Sequence, residues 1–314
     1  MRKKIDIIVP CYNEQECVQQ LFHTVESVFA NMEEYDYSIL YIDDGSKDNT
    51  LQRIKELVKQ YGKEKVRYIS FARNFGKESA IYAGFENCDG DYIVLMDADL
   101  QHPPTLLPKM ITKLEEGHDC CGARRVSRKG EPLIRSLFSK FFYSFINRVT
   151  VMNLVPGGSD FRIMTKQVAN AIVSLAEKER FIKGIMSWVG FDTVWIEYEN
   201  VERYAGNSKW SFFGLVRYAW HGFVSFATTP LRAAVWLGLF MIVVSVIYTI
   251  KLLHDTIIGG RAWLDTTTIL LVLMMIGGVI VLLLGVIGEY IARIYLELKG
   301  RPIYIAKESN FTEF

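Results

Sequence analysis

The stretch YIVLMDADLQHPP, Tyr92 to Pro104, runs five uncharged, mostly apolar residues into two aspartates, Asp97 and Asp99, with one alanine between them. An apolar run of this length, bounded by turn residues, reads as a strand buried on both faces, so both carboxylates emerge at its carboxyl end. Two carboxylates roughly 6 Å apart at an effective dielectric of about 20 repel by about 3 kcal/mol, a load that invites a cation between them. The alternative is a helix-start or solvated-turn role. Pro103 and Pro104 suit a helix start, and Leu107, Met110, Ile111 and Leu114 then repeat at helical spacing until Gly117 can end the helix.

The elements that must position these carboxylates alternate. IDIIVP precedes a helical pattern at Val18, Leu21, Phe22, Val25, Val28 and Phe29. YSILYIDD precedes Leu51, Ile54, Leu57, Val58 and Tyr61, and VRYISF precedes the helix-compatible KESAIYAGFEN. Such alternation implies an α/β fold with a largely parallel sheet and helices on both faces, and ligands in such sheets bind beyond the carboxyl ends of the strands. Each polar cluster falls there: PCYNE after the first strand, DDGS after the second, ARNFGK after the third, DADLQH after the fourth. Singly, each reads as a turn, with Asp48 or Asn49 able to cap the second helix. Together they describe a pocket for a ligand with phosphates, a sugar and a metal.

The chain has 314 residues, with 36 basic against 35 acidic, so it has almost no global field and nucleic acid is excluded as the main partner. Five cysteines without a CxxC pair or clustered histidines indicate reduced thiols, with neither a disulfide framework nor a zinc site. Near residue 230 the composition changes. Ala233–Ile250 and Thr266–Gly288 carry no charge, and each approaches the roughly 20 residues that cross a bilayer. Of lysine and arginine, the segment between them carries only Lys251 and Arg261. Arg217 and Arg232 precede the pair, and Arg293, Lys299, Arg301 and Lys307 follow it, so both termini are expected in the cytoplasm. The expected organisation is a cytoplasmic domain over 1–229, a transmembrane hairpin over 230–288 and a cytoplasmic tail over 289–314.

VPCYNE, DDGS, ARNFGKESA, MDADLQHPP and the later GGSDFR together resemble the membrane-anchored glycosyltransferases of family 2 that load a sugar onto a polyprenyl phosphate. The likeness covers nearly the whole chain, and its motifs are specific as a set, although a DxD element alone is weak. It implies a GT-A fold in the plasma membrane, a nucleotide-diphosphate sugar donor of the UDP-hexose or UDP-N-acetylhexosamine type, and single inverting transfer to undecaprenyl phosphate. It also implies Mg2+ or Mn2+ held by Asp97, Asp99 and Gln101, with His102 either a further ligand or a mere neighbour. Pro10, Tyr12, Glu14, Asp43 and Asp44 would line the nucleoside pocket, and Lys77 would contact the donor. Asp160 of GGSDFR would be a base or an orienting residue, and Arg203, Ser208 and Lys209 of ERYAGNSKWSF would meet the diphosphate; the implied catalytic set is Asp99, Asp160, Arg203 and Lys209.

The segment Gly122 to Val149 interleaves Arg124, Arg125, Arg128, Lys129, Arg135, Lys140 and Arg148 with Phe138, Phe141, Phe142, Tyr143 and Phe145. It reads either as a solvated basic face or as a bilayer-surface segment in which Arg124 and Arg135 hold a lipid phosphate. A phosphate monoester has a second pKa of about 6, so such an acceptor needs little help from a base. The QxxRW pattern of processive polysaccharide synthases is absent, and two spans are too few for a polymer channel. A non-catalytic sugar-nucleotide-binding scaffold is the rival of another class. A homo-oligomer and a flippase acting on the product stay open as further partners.

Overall fold

A computed structural model describes residues 2–126, 147–148, 154–175, 177–178, 180–199, 229–259 and 266–312. The chain divides into two compact units, one formed by Met1–Gly222 with Arg301–Phe314 and the other by Phe223–Gly300.

The first unit is built on one eight-stranded sheet. In chain order its elements are β1 (Lys3–Cys11), α1 (Val18–Phe29), β2 (Tyr35–Asp43), α2 (Thr50–Tyr61), β3 (Val66–Phe71), α3 (Lys77–Glu86), β4 (Tyr92–Leu95), α4 (Leu107–Glu115), β5 (Cys120–Arg125), β6 (Gly158–Thr165), α5 (Lys166–Ser174), α6 (Ile182–Trp188), β7 (Thr193–Tyr198) and β8 (Ala306–Ser309). The strand order is β7-β5-β6-β4-β1-β2-β3-β8. The pairs β1–β2, β1–β4, β2–β3 and β5–β7 are parallel, while β4–β6, β5–β6 and β3–β8 are antiparallel. Four of these seven pairings are parallel, so the sheet is mostly parallel as expected, with β6 and β8 running antiparallel to their neighbours.

The apolar spacings found their partners. Val18, Leu21, Phe22, Val25 and Phe29 bury the inner stripe of α1, and Leu107, Met110, Ile111 and Leu114 bury that of α4. Both helices share a core with Ile5, Ile7 and Val9 of β1. The opposite face of β1 and β2 is covered by α3, which in turn packs on α5. Burial on both faces is why the central strands read as continuous apolar runs.

In the second unit, α7 covers Thr229–Gly259 and α8 covers Thr266–Leu298. At 1.5 Å per residue they are about 46 and 50 Å long. Both expected spans lie inside these helices. Val272–Leu298 is long and apolar enough to cross a membrane, and Ala233–Tyr248 is a shorter apolar stretch. Trp236, Phe240, Ile247, Met274, Val281 and Leu284 are all exposed, an apolar surface of the kind that marks a membrane or protein contact. Of the expected site residues, Arg135, Arg203, Ser208 and Lys209 lie outside the described residues, as does most of the basic and aromatic segment.

Candidate active site

Because β1, β2, β3 and β4 run parallel, the four polar clusters that follow them meet at one edge of the sheet. The start of β6 reaches the same edge, since it runs antiparallel to β4 with Arg162 opposite Leu95. So does the end of β5, where Arg124 lies opposite Gly158.

The first two clusters are stitched together. The Asn13 N–H donates to Ser46 Oγ at 2.9 Å, the Lys47 N–H to Asn13 Oδ1 at 2.8 Å, and the Glu14 N–H to Thr50 Oγ1 at 2.8 Å. Just ahead of α2, Asp48 Oδ1 accepts from the Thr50 N–H at 3.0 Å, while Asn49 at the N-cap position itself makes no side-chain cap bond. Asn13 adopts a left-handed φ of 53°, which asparagine tolerates. Pro10 is the penultimate residue of β1, and Pro10, Tyr12 and Glu14 are all half-buried around this junction.

Asp43 and Asp44 are both buried and turned toward loops of the chain itself. Asp43 accepts from the Ser46 N–H at 3.1 Å and from Ser70 Oγ at 2.7 Å. Asp44 accepts from the N–H groups of Phe75 at 2.6 Å and Gly76 at 2.9 Å, so the ARNFGK loop hangs on its carboxylate. Burial pushes the Asp44 carboxyl up to about 6, against the opposing pull of those two amides. Gly45 makes the crossing of the loops passable. Its φ is +65°, and a Cβ there would lie 2.5 Å from the Arg73 carbonyl carbon.

Beyond β4, Asp97 is half-buried and Asp99 is buried. Asp99 Oδ1 accepts from the Gln101 N–H at 3.1 Å. Leu100, between them, has a left-handed φ of 58°. That conformation costs a leucine about 1–2 kcal/mol and is the kind of strain that clusters at functional sites. His102 is buried against Phe161 and Tyr198, with ring centroids 5.7 and 6.0 Å away. Burial lowers its pKa despite Asp97 and Asp99 nearby, and its Nδ1 has no hydrogen-bond partner among the described residues.

Lys77, the first residue of α3, reaches into this acidic group. Its Nζ lies 2.7 Å from Asp97 Oδ1 and 2.8 Å from Asp160 Oδ2, joining carboxylates from the β4 loop and from β6. Lys183 of α6 approaches the other Asp160 oxygen at 3.6 Å, and its Nζ also donates to the Gly158 carbonyl at 3.3 Å. Burial alone would raise the Asp160 pKa, but Lys77 and Lys183 hold it well below the usual carboxylate range. The same carboxylates keep the Lys77 ammonium charged against its own burial. Asp160 is thus an ionised, doubly countered group and a weak base. Arg124 sits further out, 3.9 Å from Glu197 Oε1.

Sequence reasoning did not single out Lys183, Arg162, Ser70 or the tail strand β8. Lys183 stands in ERFIKGIMSWVGF, where a basic residue beside glycine was visible but its partner was not. Arg162 lies 4.9 Å over the Trp195 ring, which in turn fills the space that a Cβ at Gly158 would need, 2.8 Å away. Neither contact has a local signature. Among the described residues no three His, Cys, Asp or Glu side chains stand together as a ready-made metal cage.

Residues 6–172 match the description Glycosyl transferase family 2, and residues 229–294 match the GtrB C-terminal hairpin. The chain is a family 2 glycosyltransferase. This glycosyltransferase is 46% identical over 306 residues to the Bacillus subtilis protein CsbB, covering 98% of the chain and 92% of that protein. It is 37% identical over 307 residues to the SfII prophage-derived bactoprenol glucosyl transferase of Shigella flexneri, with 98% of each chain covered. Over 304 residues it is 37% identical to the prophage bactoprenol glucosyl transferase homolog of Escherichia coli K12, covering 97% of the chain and 98% of that protein. Among solved structures, glucosyl-3-phosphoglycerate synthase from Mycobacterium tuberculosis, crystallised with Mn2+, UDP and phosphoglyceric acid, superposes with a TM-score of 0.50 at 16% identity. That alignment covers 69% of this chain and 75% of the synthase, and it shows the shared GT-A fold.

Proposed function

We propose that this glycosyltransferase transfers a single hexose or N-acetylhexosamine from a UDP-sugar to undecaprenyl phosphate at the cytoplasmic face of the plasma membrane, with inversion. The observation that carries the donor half is the Lys77 ammonium between Asp97 and Asp160, a cation-holding pocket at the carboxyl edge of the sheet. The full-length relatives from Shigella and E. coli, named as bactoprenol glucosyl transferases, support the lipid acceptor.

The residues present fit a divalent ion. Asp97 and Asp99 offer hard carboxylate oxygens, Gln101 adds an amide, and the buried His102 Nδ1 lacks a partner among the described residues. Two protein carboxylates completed by substrate phosphates is the usual arrangement for Mg2+ or Mn2+, which accounts for the lack of a full protein cage among the described residues. When bound, such an ion neutralises the charge that develops on the departing diphosphate. Lys77 adds a positive charge at the same edge. Asp160, fixed in ionised form by two lysines, orients the sugar or the acceptor rather than removing a proton. The acceptor phosphate is itself largely ionised above a pKa of about 6 and attacks directly.

The tail bears on topology. Because β8 is hydrogen-bonded to β3, residues 306–309 lie on the same side of a membrane as the catalytic sheet. One crossing by α8 alone would separate the two, which supports an even number of crossings by the 229–300 region. The apolar stretch Ala233–Tyr248 of α7 supplies the second pass. The basic residues flanking the pair support a cytoplasmic catalytic domain.

The test is to incubate the purified enzyme with undecaprenyl phosphate and a panel of nucleotide sugars and to weigh the lipid product. A single added hexose or N-acetylhexosamine, with UDP released only when the lipid is present, is expected. A long polymer, or no lipid product with any donor, overturns the reading. Asp99→Asn should fold at least as stably yet lose most transfer, and chelation should mimic it. An enzyme indifferent to both would return the aspartate pair to a helix-start role.

A further inference from the structure

The tail beyond the helical hairpin does more than follow the membrane segment. It enters the sheet as the edge strand β8, with Ser309 opposite Ile69, Glu308 opposite Ser70 and Ala306 opposite Phe71. Asn310 closes one end of the pairing: its Oδ1 accepts from the Tyr68 N–H and its Nδ2 donates to the Val66 carbonyl, both at 2.9 Å. At the other end the Ala72 N–H donates to the Ile305 carbonyl at 3.0 Å. The Tyr304 ring stacks on Phe71, with centroids 4.9 Å apart and planes 21° from parallel. Its hydroxyl donates to Glu86 Oε2 at 2.7 Å and accepts from Asn87 Nδ2 at 3.3 Å, both at the end of α3.

Three of these grips, on Ser70, Phe71 and Ala72, fall on residues next to the site. Ser70, paired across from Glu308, donates to Asp43. Phe71, under Tyr304, meets Phe75 edge-on at 5.8 Å, and Phe75 is one of the two amides on Asp44. Ala72 opens the loop that ends at Lys77. The tail therefore holds both ends of α3: its carboxyl end directly, through Glu86 and Asn87, and its amino end through the loop that delivers Lys77 to Asp97 and Asp160. Without the tail, β3 would be an open sheet edge with the Ala72 N–H unpaired, and edge segments of this kind fray.

We infer that the carboxyl-terminal tail, through Tyr304 and Ile305, is a positioning element of the donor site: it fixes the Ala72–Gly76 loop so that Lys77 and the Asp44-bound amides are preorganised for the nucleotide sugar. This rests on the donor-site reading above. Since the tail follows the hairpin in the chain, the donor site is complete only once residues 304–310 are in place against β3.

The test uses the full-length enzyme in detergent, with Tyr304→Ala, Tyr304→Phe and, as a control, Glu308→Gln. The control breaks the 2.7 Å pair with Lys55 on α2 and leaves the loop contacts intact. Binding of UDP with Mn2+ is measured by calorimetry, and KM is measured separately for nucleotide sugar and for polyprenyl phosphate. Loss of the aromatic stack should weaken UDP binding and raise the donor KM roughly five- to tenfold in Tyr304→Ala. The acceptor KM should not move, and Tyr304→Phe and Glu308→Gln should stay within about twofold of the parent on both. Should Tyr304→Ala fail to fold, Tyr304→Leu, which keeps apolar cover on Phe71, should show the same split. Donor and acceptor KM unchanged in the presence of a lowered melting point would make the tail a brace only and overturn the inference. A parent enzyme that takes up no UDP at all would overturn the donor-site reading and the positioning role with it.

Discussion

Replacing Lys77 with methionine isolates the role of the internal cation, because the stem keeps its length and apolar character while the charge is lost. The ammonium stands 2.7 Å from Asp97 and 2.8 Å from Asp160. With charge centres about 3.5 Å apart at an effective dielectric near 20, each attraction is about 5 kcal/mol before desolvation. The lysine side chain is 38% exposed, against 23% for Asp97 and 16% for Asp160, so solvent screening and desolvation offset most of that. A net value of about 2 kcal/mol, between those of an exposed and a buried pair, is the working figure. In chelator, Lys77→Met should melt roughly 4–8 °C lower, the shift about 2 kcal/mol produces in a domain of this size. Added Mn2+ no longer competes with an ammonium, so nucleotide-free Lys77→Met should bind it about 30-fold more tightly than the parent, the same 2 kcal/mol expressed as affinity. The paramagnetic resonance signal of free Mn2+ reads that affinity directly, in the absence of any substrate. Equal or weaker Mn2+ binding by the variant, or an unchanged melting point in chelator, would refute the idea that the Lys77 ammonium and a metal draw on the same Asp97 carboxylate.

Gly45→Ala should cost more than about 3 kcal/mol, since a left-handed φ and a clash with backbone that cannot rotate away add together; a denaturant melt within about 1 kcal/mol of the parent would count against the loop crossing as described. The carboxyl of Asp6 is completely buried. Burial would raise its pKa, but Arg67 at 2.8 Å, the Ser38 hydroxyl and the Asp89 amide outweigh that and bring it to about 2. A folded pKa below the unfolded one stabilises the fold above about pH 4, and the contribution, about 2 kcal/mol, is lost as pH falls toward 2. Stability curves at pH 5 and pH 3 should therefore converge for Asp6→Asn relative to the parent, with Asp44 acting in the opposite sense as pH rises through about 6. For the hairpin, Thr256→Cys should react with an impermeant thiol reagent from outside intact cells and Arg301→Cys should not. The reverse pattern would exclude the proposed orientation.

Much of the architecture was legible because it is local. The run Tyr92–Met96, the two aspartates, the prolines and the helical stripe to Leu114 are set by burial, turn chemistry and period, and each appears where that spacing puts it. Parallel alternation likewise places four polar clusters at one edge without knowledge of any contact. The roles within the cluster were not legible. Asp43 and Asp44 looked alike and equally available in DDGS, yet the fold turns both inward, because Ser70 and the Phe75 and Gly76 amides arrive from the next strand and loop. Lys77 and Asp160 are 83 residues apart, and no spacing rule joins an ammonium at a helix start to a carboxylate on an antiparallel return. The tail shows the limit most clearly. Ala306–Ser309 is four residues with the sequence AKES, too short and too polar to carry a strand pattern. It is a strand only because it pairs with the edge that β3 would otherwise leave open and Tyr304 covers a face of Phe71. Local physics named the groups able to do chemistry; long-range pairing, which depends on which edges and charges remain unsatisfied once the sheet forms, chose their partners.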